Sequence, residues 1–270
     1  MSRPQVGMEN ADEELSFLLR SDNRREILVA LAERGPLDRH EIRDALDASR
    51  RTVSRVLKTL VEAGYVRNLG NRYRLTAFGA FQVDTFRDWA ERAAITDRFR
   101  PFLANVDDGL FDPESGLLRS ASLTVATDLH PHAPMDRLLA IREGASQIRS
   151  VTPIVRNRCL THVAKRCRRG DQFEAEVVVP AEMVERVDSL TGHDSTLRTI
   201  RASESVSSFV HPGPLRVLCS VVDDTAVFGA YVDAQLHALV ESDAHEFREL
   251  ATERIDACRT EAVQAEESAN

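Results

Sequence analysis

The chain has 270 residues, 43% of them hydrophobic and 29% charged, which is the composition of a globular protein with room for two domains. No stretch approaches the roughly 18 uninterrupted apolar residues that a membrane span needs. The N-terminus lacks the apolar segment of a secretory signal, so we expect a cytoplasmic protein without membrane contact. The four cysteines form no CxxC pair, and we expect reduced thiols, no metal site and no cofactor.

The formal net charge of −8 is unevenly distributed. The segment from Leu37 to Gly79 carries nine basic and five acidic residues, a charge of +4, which leaves −12 for the remainder. A basic module attached to an acidic body suits a protein whose module binds duplex DNA and whose body stays off it. Lys58 and Lys165 are the only lysines, and an acid-rich, lysine-poor chain suits a halophile-like cytoplasm of high salt; a GC-rich genome would also favour arginine.

The first predicted elements are helices. Residues 1–13 are polar and are expected to be disordered, and a DNA-binding domain is expected at 14–79. Apolar residues at helical spacing predict one helix over 22–32 and another over 39–46. Ser49 is a good N-cap for a third helix, because its hydroxyl can accept a hydrogen bond from a free backbone N–H.

The third helix, predicted from Arg50 to Ala63, has two different faces. Its apolar positions predict a buried stripe: Val53, Val56, Leu57, Leu60 and Val61. Its other side is polar and basic, and the residues nearest its N-terminus are candidates for contacts with base edges in the major groove: Arg50, Arg51, Thr52, Ser54 and Arg55.

A β-hairpin is predicted after the third helix, with strands near 65–67 and 72–75 around an Asn/Gly turn. The order of helix, helix, turn, basic helix and hairpin is that of a winged helix-turn-helix. Four further basic residues are expected to contact phosphates or an adjacent minor groove: Lys58, Arg67, Arg72 and Arg74. The alternative is a winged helix used for protein contacts, with the basic residues as a solvated face.

The segment SRRTVSRVLKTLVEAGYV, the wing and the following LTAFG resemble the MarR/ArsR-type winged helices of prokaryotic regulators. In that family a Leu-Thr-x-x-Gly segment follows the wing and starts the next helix, and here it is Leu75, Thr76 and Gly79. The resemblance implies the winged-helix fold and DNA binding, and it covers about a quarter of the chain.

Residues 80–106 are rich in helix formers and are expected to form a helical connector, broken near Thr96 and Pro101. In winged-helix regulators the helix after the wing often pairs with its copy in a second subunit, so we expect a homodimer, which would suit a palindromic operator. The alternative is a core helix packed within one chain.

Strand and helix patterns alternate over 107–265 and predict an α/β sandwich of about five strands. The predicted strands are 117–127, 147–152, 173–179, 217–222 and 226–232. A long amphipathic helix is expected over 243–263. The fold class is therefore α+β, with a winged helix-turn-helix, a helical connector and a C-terminal α/β sandwich.

The segments SASLTVATDLHP, IRSVTPIV and LRVLCSVVDDTAVFGAYVD resemble the effector domain of archaeal regulators of the methanogenesis-regulator type, and the last is also similar to the sensor part of TrmB-like regulators. That domain is related in shape to phospholipase-D-type enzymes, which need a His-x-Lys pattern. Here His162 and Lys165 are one residue too far apart for that pattern, so no catalytic residues are predicted.

The carboxyl ends of the strands predict where an effector would bind. The candidates are polar residues at or near those ends: Thr127, His130, Arg156, Arg158 and Asp223. A basic cluster from Arg156 to Arg169 could bind an anionic effector or further DNA, or could be a solvated helix whose cations suit its C-terminal dipole.

These patterns predict a transcriptional regulator that binds double-stranded DNA, is no enzyme, and responds to a signal sensed in its C-terminal domain. One alternative is a nucleic-acid-processing enzyme with a winged-helix targeting module. Another is a scaffold that uses its winged helix for protein contacts. The chain shows no Walker loop, HExxH motif or catalytic triad in convincing context.

Overall fold

The structure is a computed structural model that describes residues 8–46, 48–113, 115–188 and 194–264. The contacts divide the chain into two compact units, residues 1–94 and residues 95–270. The division falls inside the connector predicted at 80–106. Within the described residues, no helix is long and apolar enough to cross a membrane.

The first unit packs helices against a small antiparallel sheet of order β1-β3-β2. Its described elements are α1 (Met8–Leu19), α2 (Asp22–Arg34), β1 (Leu37–Asp38), α3 (Arg39–Leu46), α4 (Arg50–Glu62), β2 (Val66–Asn68), β3 (Arg72–Leu75) and α5 (Ala77–Arg98). The last four residues of α5 belong to the second unit. This order of elements confirms the predicted winged helix-turn-helix.

Helix α1 corrects the expectation of disorder over 1–13, because residues 8–13 are helical; residues 1–7 lie outside the described residues. Tertiary contacts hold this helix. Leu18 is 3% exposed, and Glu14 accepts a hydrogen bond from the hydroxyl of the buried Tyr65. Arg24 donates to the carbonyl of Phe17, 2.7 Å away, and so satisfies an oxygen near the C-terminal end of the helix.

The core of the first unit lies between α2, α3 and α4, where Ile27, Ile42 and Leu60 are fully buried. Val61 does not belong to it, although the sequence placed it in the buried stripe of α4; its side chain is 37% exposed. Each helical residue turns the chain by about 100°, so Val61 faces more than a quarter turn away from Leu60.

The second unit is built on one sheet of order β11-β7-β6-β5-β8-β9-β10-β4. Strands β5, β6 and β7 are parallel, and the other pairs are antiparallel. Its described elements are α6 (Arg100–Leu103), β4 (Ser122–Val125), α7 (Ala133–Arg142), β5 (Gln147–Val151), α8 (Asn157–Arg169), β6 (Glu174–Pro180), α9 (Ala181–Asp188), α10 (Asp194–Arg201), β7 (Val206–His211), β8 (Leu218–Val222), β9 (Thr225–Val232), β10 (Gln235–Ser242), α11 (His245–Glu261) and β11 (Val263–Gln264).

Helices cover both faces of this sheet. On one face Phe228 packs with Phe247 and Ala251 of α11. On the other face the preceding strand residue, Val227, packs with Leu138 of α7. Successive strand residues point to opposite faces, so neighbouring positions of one strand enter two different cores. The predicted α/β sandwich is confirmed.

The number of strands was wrong, since the described part of the sheet has eight where about five were predicted. The pattern missed β7, β10 and β11. Strand β7 carries three polar residues in six, so it lacks an apolar run. Strand β10 follows β9 after a turn at Asp233 and Ala234, both with positive φ, which is uncommon outside glycine. Strand β11 lies at the end of the segment predicted as one long helix.

Candidate nucleic-acid interface

Helix α4 begins at Arg50 because Ser49 caps it. The Ser49 hydroxyl accepts a hydrogen bond from the backbone N–H of Thr52 at 3.1 Å, and the two hydroxyl oxygens lie 2.9 Å apart. This confirms the predicted cap. The capped turn holds the first residues of the helix, Arg50 and Arg51, at a fixed and exposed end.

The basic side chains of α4 share its solvent face. Arg51, Arg55 and Lys58 follow one another at intervals of four and three residues, which places them on one side of a helix, and all three are exposed. The opposite side is fixed in the core, where Val56 and Leu60 are 6% and 0% exposed. A rigid scaffold therefore presents this face.

Thr52 and Ser54 differ from the arginines around them. Both are half-buried. Thr52 turns about 100° away from Arg51 around the helix, and its hydroxyl already contacts Ser49. The structure therefore places Thr52 at the flank of the basic face and gives it a part in starting the helix.

Most of the predicted DNA-binding cations have no acidic partner among the described residues. Lys58 pairs with Glu62 at 3.6 Å and Arg72 with Glu41 at 3.4 Å, both at exposed positions. Five arginines form no ion pair with any described residue: Arg50, Arg51, Arg55, Arg67 and Arg74. Their charges are available to an external anion.

The wing brings like charges together. In the register of β2 and β3, Arg67 lies directly opposite Arg74, and both side chains are exposed. Like charges at directly opposite positions destabilise a hairpin. Arg72 lies on the same strand face as Arg74, two residues away. The exposed face of the wing is therefore basic, while Tyr73 points into the core and is 3% exposed.

An arginine that the sequence counted only as part of the basic segment holds the wing in place. Arg39 of α3 donates from Nε and Nη2 to the Tyr73 hydroxyl, at 2.9 Å and 2.7 Å. Asp38 precedes α3 and accepts hydrogen bonds from the backbone N–H groups of Glu41 and His40, which lower the pKa of Asp38. Glu41 returns the contact by accepting from the Asp38 N–H at 2.7 Å. This capping box fixes the start of α3 beside the wing.

The Leu-Thr-x-x-Gly segment joins the wing to α5. The Thr76 hydroxyl donates to the carbonyl of Gly64 at 2.7 Å and accepts from the Gly79 N–H at 2.9 Å. A Cβ at Gly79 would lie 2.0 Å from the Tyr65 carbonyl oxygen, so any larger residue would displace the backbone there. These contacts give the motif a structural reason, which spacing alone did not reveal.

The candidate effector residues do not form one site. Thr127 and His130 share a turn after β4, and Arg158 pairs with Asp136. Asp223 lies at the opposite end of the sheet, where it accepts from the Gln147 N–H at 2.8 Å and so closes the turn before β5.

Thr127 and His130 follow a different strand from Arg156. Strand β4 is at the sheet edge, four strand spacings from β5, which is about 19 Å. Arg156 precedes α8, the helix that follows β5. The five candidates therefore lie around different strands of the sheet, and their role in binding an effector stays a prediction.

Basic side chains of α8 already have partners within the second unit. Arg166 is 2% exposed, donates to the carbonyls of Arg142 and Ala145 at 3.0 Å and 2.6 Å, and stacks on Phe173 at 4.1 Å. Arg169 pairs with Glu143 at 3.3 Å. Arg166 is therefore a core residue of the second unit.

Two family models match the chain. Residues 12–98, which hold the winged helix, match the model described as HVO_A0261 N-terminal domain. Residues 131–261, which hold most of the large sheet, match the model described as Methanogenesis regulatory protein FilR1, middle domain. The chain is a winged-helix transcriptional regulator. The basic face of α4 and the basic wing belong to the part of the regulator that the first model covers.

Several solved structures share parts of its arrangement. TrmBL2, described as an archaeal chromatin protein, aligns over 94% of the regulator and 99% of its own chain, with 14% identity and a TM-score of 0.41. The reduced form of MarR from E. coli aligns over 38% and 84%, with 20% identity and a TM-score of 0.30. Phosphatidylserine synthase from Haemophilus influenzae aligns over 83% and 47%, with 9% identity and a TM-score of 0.38. No curated protein matched the regulator.

Proposed function

We propose that the regulator binds duplex DNA with α4 in the major groove and the wing against the flanking backbone. The observation that carries this proposal is the set of five exposed arginines that have no acidic partner among the described residues. They are divided between α4 and the wing of a chain whose net charge is −8. In an acidic chain, a local excess of unpaired cations on a rigid element indicates an anionic partner.

Helix α4 suits readout of bases. The major groove is wide enough for one helix, and a recognition helix contacts bases with its N-terminal residues. Arg50, Arg51 and Arg55 lie in that part of α4, and a guanidinium can donate to both O6 and N7 of guanine. Ser54 lies beside them, whereas Thr52 contributes mainly through the helix cap.

The wing suits contacts with phosphates. Arg67 and Arg74 repel each other across the hairpin, and a phosphate between them would relieve that repulsion. Arg72 and Lys58 each hold a weak exposed ion pair, which DNA phosphates could replace at little cost.

We also propose that the regulator is a homodimer through α5. Three aromatic side chains on α5 are exposed to 42%, 76% and 42%: Phe78, Phe81 and Trp89. At about 100° per residue they lie within roughly 80° around the helix and form one stripe. A second copy is the fitting occupant, because two winged helices related by a two-fold axis would match two half-sites on DNA.

The second unit would carry the signal. Helix α5 runs from the winged helix into the second unit, so a change in the sheet domain could alter the placement of the two α4 helices in a dimer. This sensing role is part of the proposal.

Footprinting on genomic DNA fragments captured by the wild-type protein tests DNA binding. The double variant Arg51→Ala, Arg55→Ala is expected to lose the footprint. Its matched control, Arg20→Ala with Arg34→Ala, removes the same charge at exposed positions outside α4 and the wing and should keep it. An unchanged footprint in the α4 variant would show that α4 is not the reading helix.

A further inference from the structure

A large cavity lies in the second unit between the sheet and the helices of one face. Its volume is about 880 Å³, within the usual range for sites that bind small molecules. Strands β5, β6 and β7 contribute to its wall together with residues of α7 to α10. Most of the surface is apolar, as at Leu138, Leu160, Val163, Val177 and Val179.

Arg142, the last residue of α7, is a buried charged residue in this wall. Arg142 is only 8% exposed. Its Nη2 donates to the hydroxyl of Ser150 at 2.7 Å and to the hydroxyl of Ser220 at 3.4 Å. Its Nε is buried without a hydrogen-bond acceptor. Arg142 forms no ion pair with any residue that the structure describes.

The neighbouring Arg166 shows what a satisfied buried arginine looks like in the same unit. Arg166 contacts Asp171 at 3.4 Å and donates to two backbone carbonyls. Arg142 has two serine hydroxyls and no carboxylate. An arginine keeps its proton in proteins, so Arg142 is a buried cation without a counter-ion among the described residues.

The other titratable groups beside Arg142 do not supply a negative charge. Burial raises the pKa of the Cys159 thiol, and burial raises the pKa of Tyr231 to about 12, so both stay neutral near pH 7. The described residues that line the cavity include no aspartate or glutamate, whereas they include Arg142 and Arg201. Burial lowers the pKa of Arg142 itself.

We infer that this cavity binds a small carboxylate carried on an apolar body, with the carboxylate against Arg142 and the apolar body along β6 and α8. A single unpaired guanidinium beside serine hydroxyls suits one negative charge, and the apolar wall suits the rest of such a molecule. The inference rests on the proposed sensing role, for which it names the ligand class and a site different from Thr127, His130 and Asp223.

Calorimetric titration of the full chain with decanoate and with 1-decanol tests this site. The two probes share an apolar chain and differ in charge; decanoate is used below its micelle-forming concentration and 1-decanol below its solubility limit. Wild-type protein is expected to bind decanoate between about tenfold and a hundredfold more tightly than 1-decanol, the difference of a charge-assisted hydrogen bond. Arg142→Met keeps an unbranched apolar stem and removes the guanidinium with its charge, and should reduce that ratio to about one.

Two further variants make the result specific. Arg158→Met removes the same charge from an exposed residue outside the cavity wall and should keep the preference for decanoate. Leu160→Trp narrows the cavity beside α8 and should weaken both probes. Equal binding of the two probes by the wild type, no binding of decanoate, or a preference that survives Arg142→Met would overturn the inference.

The titration needs no DNA, so its outcome is independent of the proposed reading helix. If decanoate binds through Arg142 but leaves the footprint unchanged, the site stands and the sensing role fails. If the α4 variant keeps its footprint, the DNA-binding surface fails and the site is unaffected.

Discussion

Gly79 illustrates how one residue joins the winged helix to its next helix. Helix propensity alone favours alanine over glycine by about 1 kcal/mol inside a helix. At Gly79 the added Cβ would lie 2.0 Å from the Tyr65 carbonyl oxygen, which is backbone and has little room to move. We therefore expect Gly79→Ala to lower the free energy of unfolding by about 1–3 kcal/mol, the usual cost of overpacking.

Urea unfolding followed by the fluorescence of Trp89, the one tryptophan of the chain, measures this effect in the first unit. Ala80→Gly, one position along the same helix, is the control and should cost about 1 kcal/mol from propensity alone. A more stable Gly79→Ala variant would show that the contact with Tyr65 relaxes freely.

Ser49 separates helix capping from DNA binding. Ser49→Ala removes the acceptor for the Thr52 N–H and should lower the free energy of unfolding by about 1 kcal/mol. Ser49→Asp keeps an acceptor and adds a negative charge at the helix N-terminus, so it should keep the stability while weakening DNA binding. The same unfolding assay and a mobility-shift assay check the two effects, and equal DNA affinity in Ser49→Asp would place Ser49 away from the phosphates.

At the scale of elements, the wing places Arg67 opposite Arg74, a repulsive pair that we propose contacts DNA phosphates. Replacing Arg67 by Glu would place an opposite charge across from Arg74 and should stabilise the hairpin by about 0.2–1 kcal/mol. The same change should lower DNA affinity by about tenfold or more, because it removes one phosphate contact and repels another. Arg67→Gln, which removes the charge without creating a pair, should weaken DNA binding less. A stabilised wing with undiminished DNA affinity would contradict the phosphate contact.

Local patterns predicted the helix that we propose binds DNA. Ser49 and the spacing of Arg51 and Arg55 lie within one turn or two of each other, so capping chemistry and helical period were enough to place them. The bond from Arg39 to Tyr73 joins residues 34 apart, and no local pattern reports such a contact.

The cavity in the second unit lay beyond sequence reasoning for the same reason. Arg142 reads as one more cation at a helix C-terminus, a favourable place for it. Its unusual state depends on Ser150 and Ser220, which belong to strands whose adjacency only the sheet order reveals. The candidate effector residues were chosen without that order, and Asp223 lies at the opposite end of the sheet from Thr127.

For the whole molecule, the exposed aromatic stripe of α5 indicates an interface with a second copy. Phe81 is 76% exposed, and a large apolar patch on a soluble chain usually marks an interface. We expect Phe81→Glu to convert a dimer into a monomer, because the dimer would bury an unpaired carboxylate at its interface. Light scattering of the purified protein measures the change in mass.

The same variant links assembly to DNA binding. A dimer binds two half-sites as one unit, so Phe81→Glu should weaken binding to a captured fragment with two half-sites far more than binding to a single half-site. Ala80→Glu puts the same charge about 200° around α5 from Phe78 and should leave the mass unchanged. Two results would contradict this assembly: a wild-type protein with monomeric mass, or a dimer that persists in Phe81→Glu. Either result would mean that the aromatic stripe does not hold two copies together through α5, and that α5 does not set the spacing of two α4 helices.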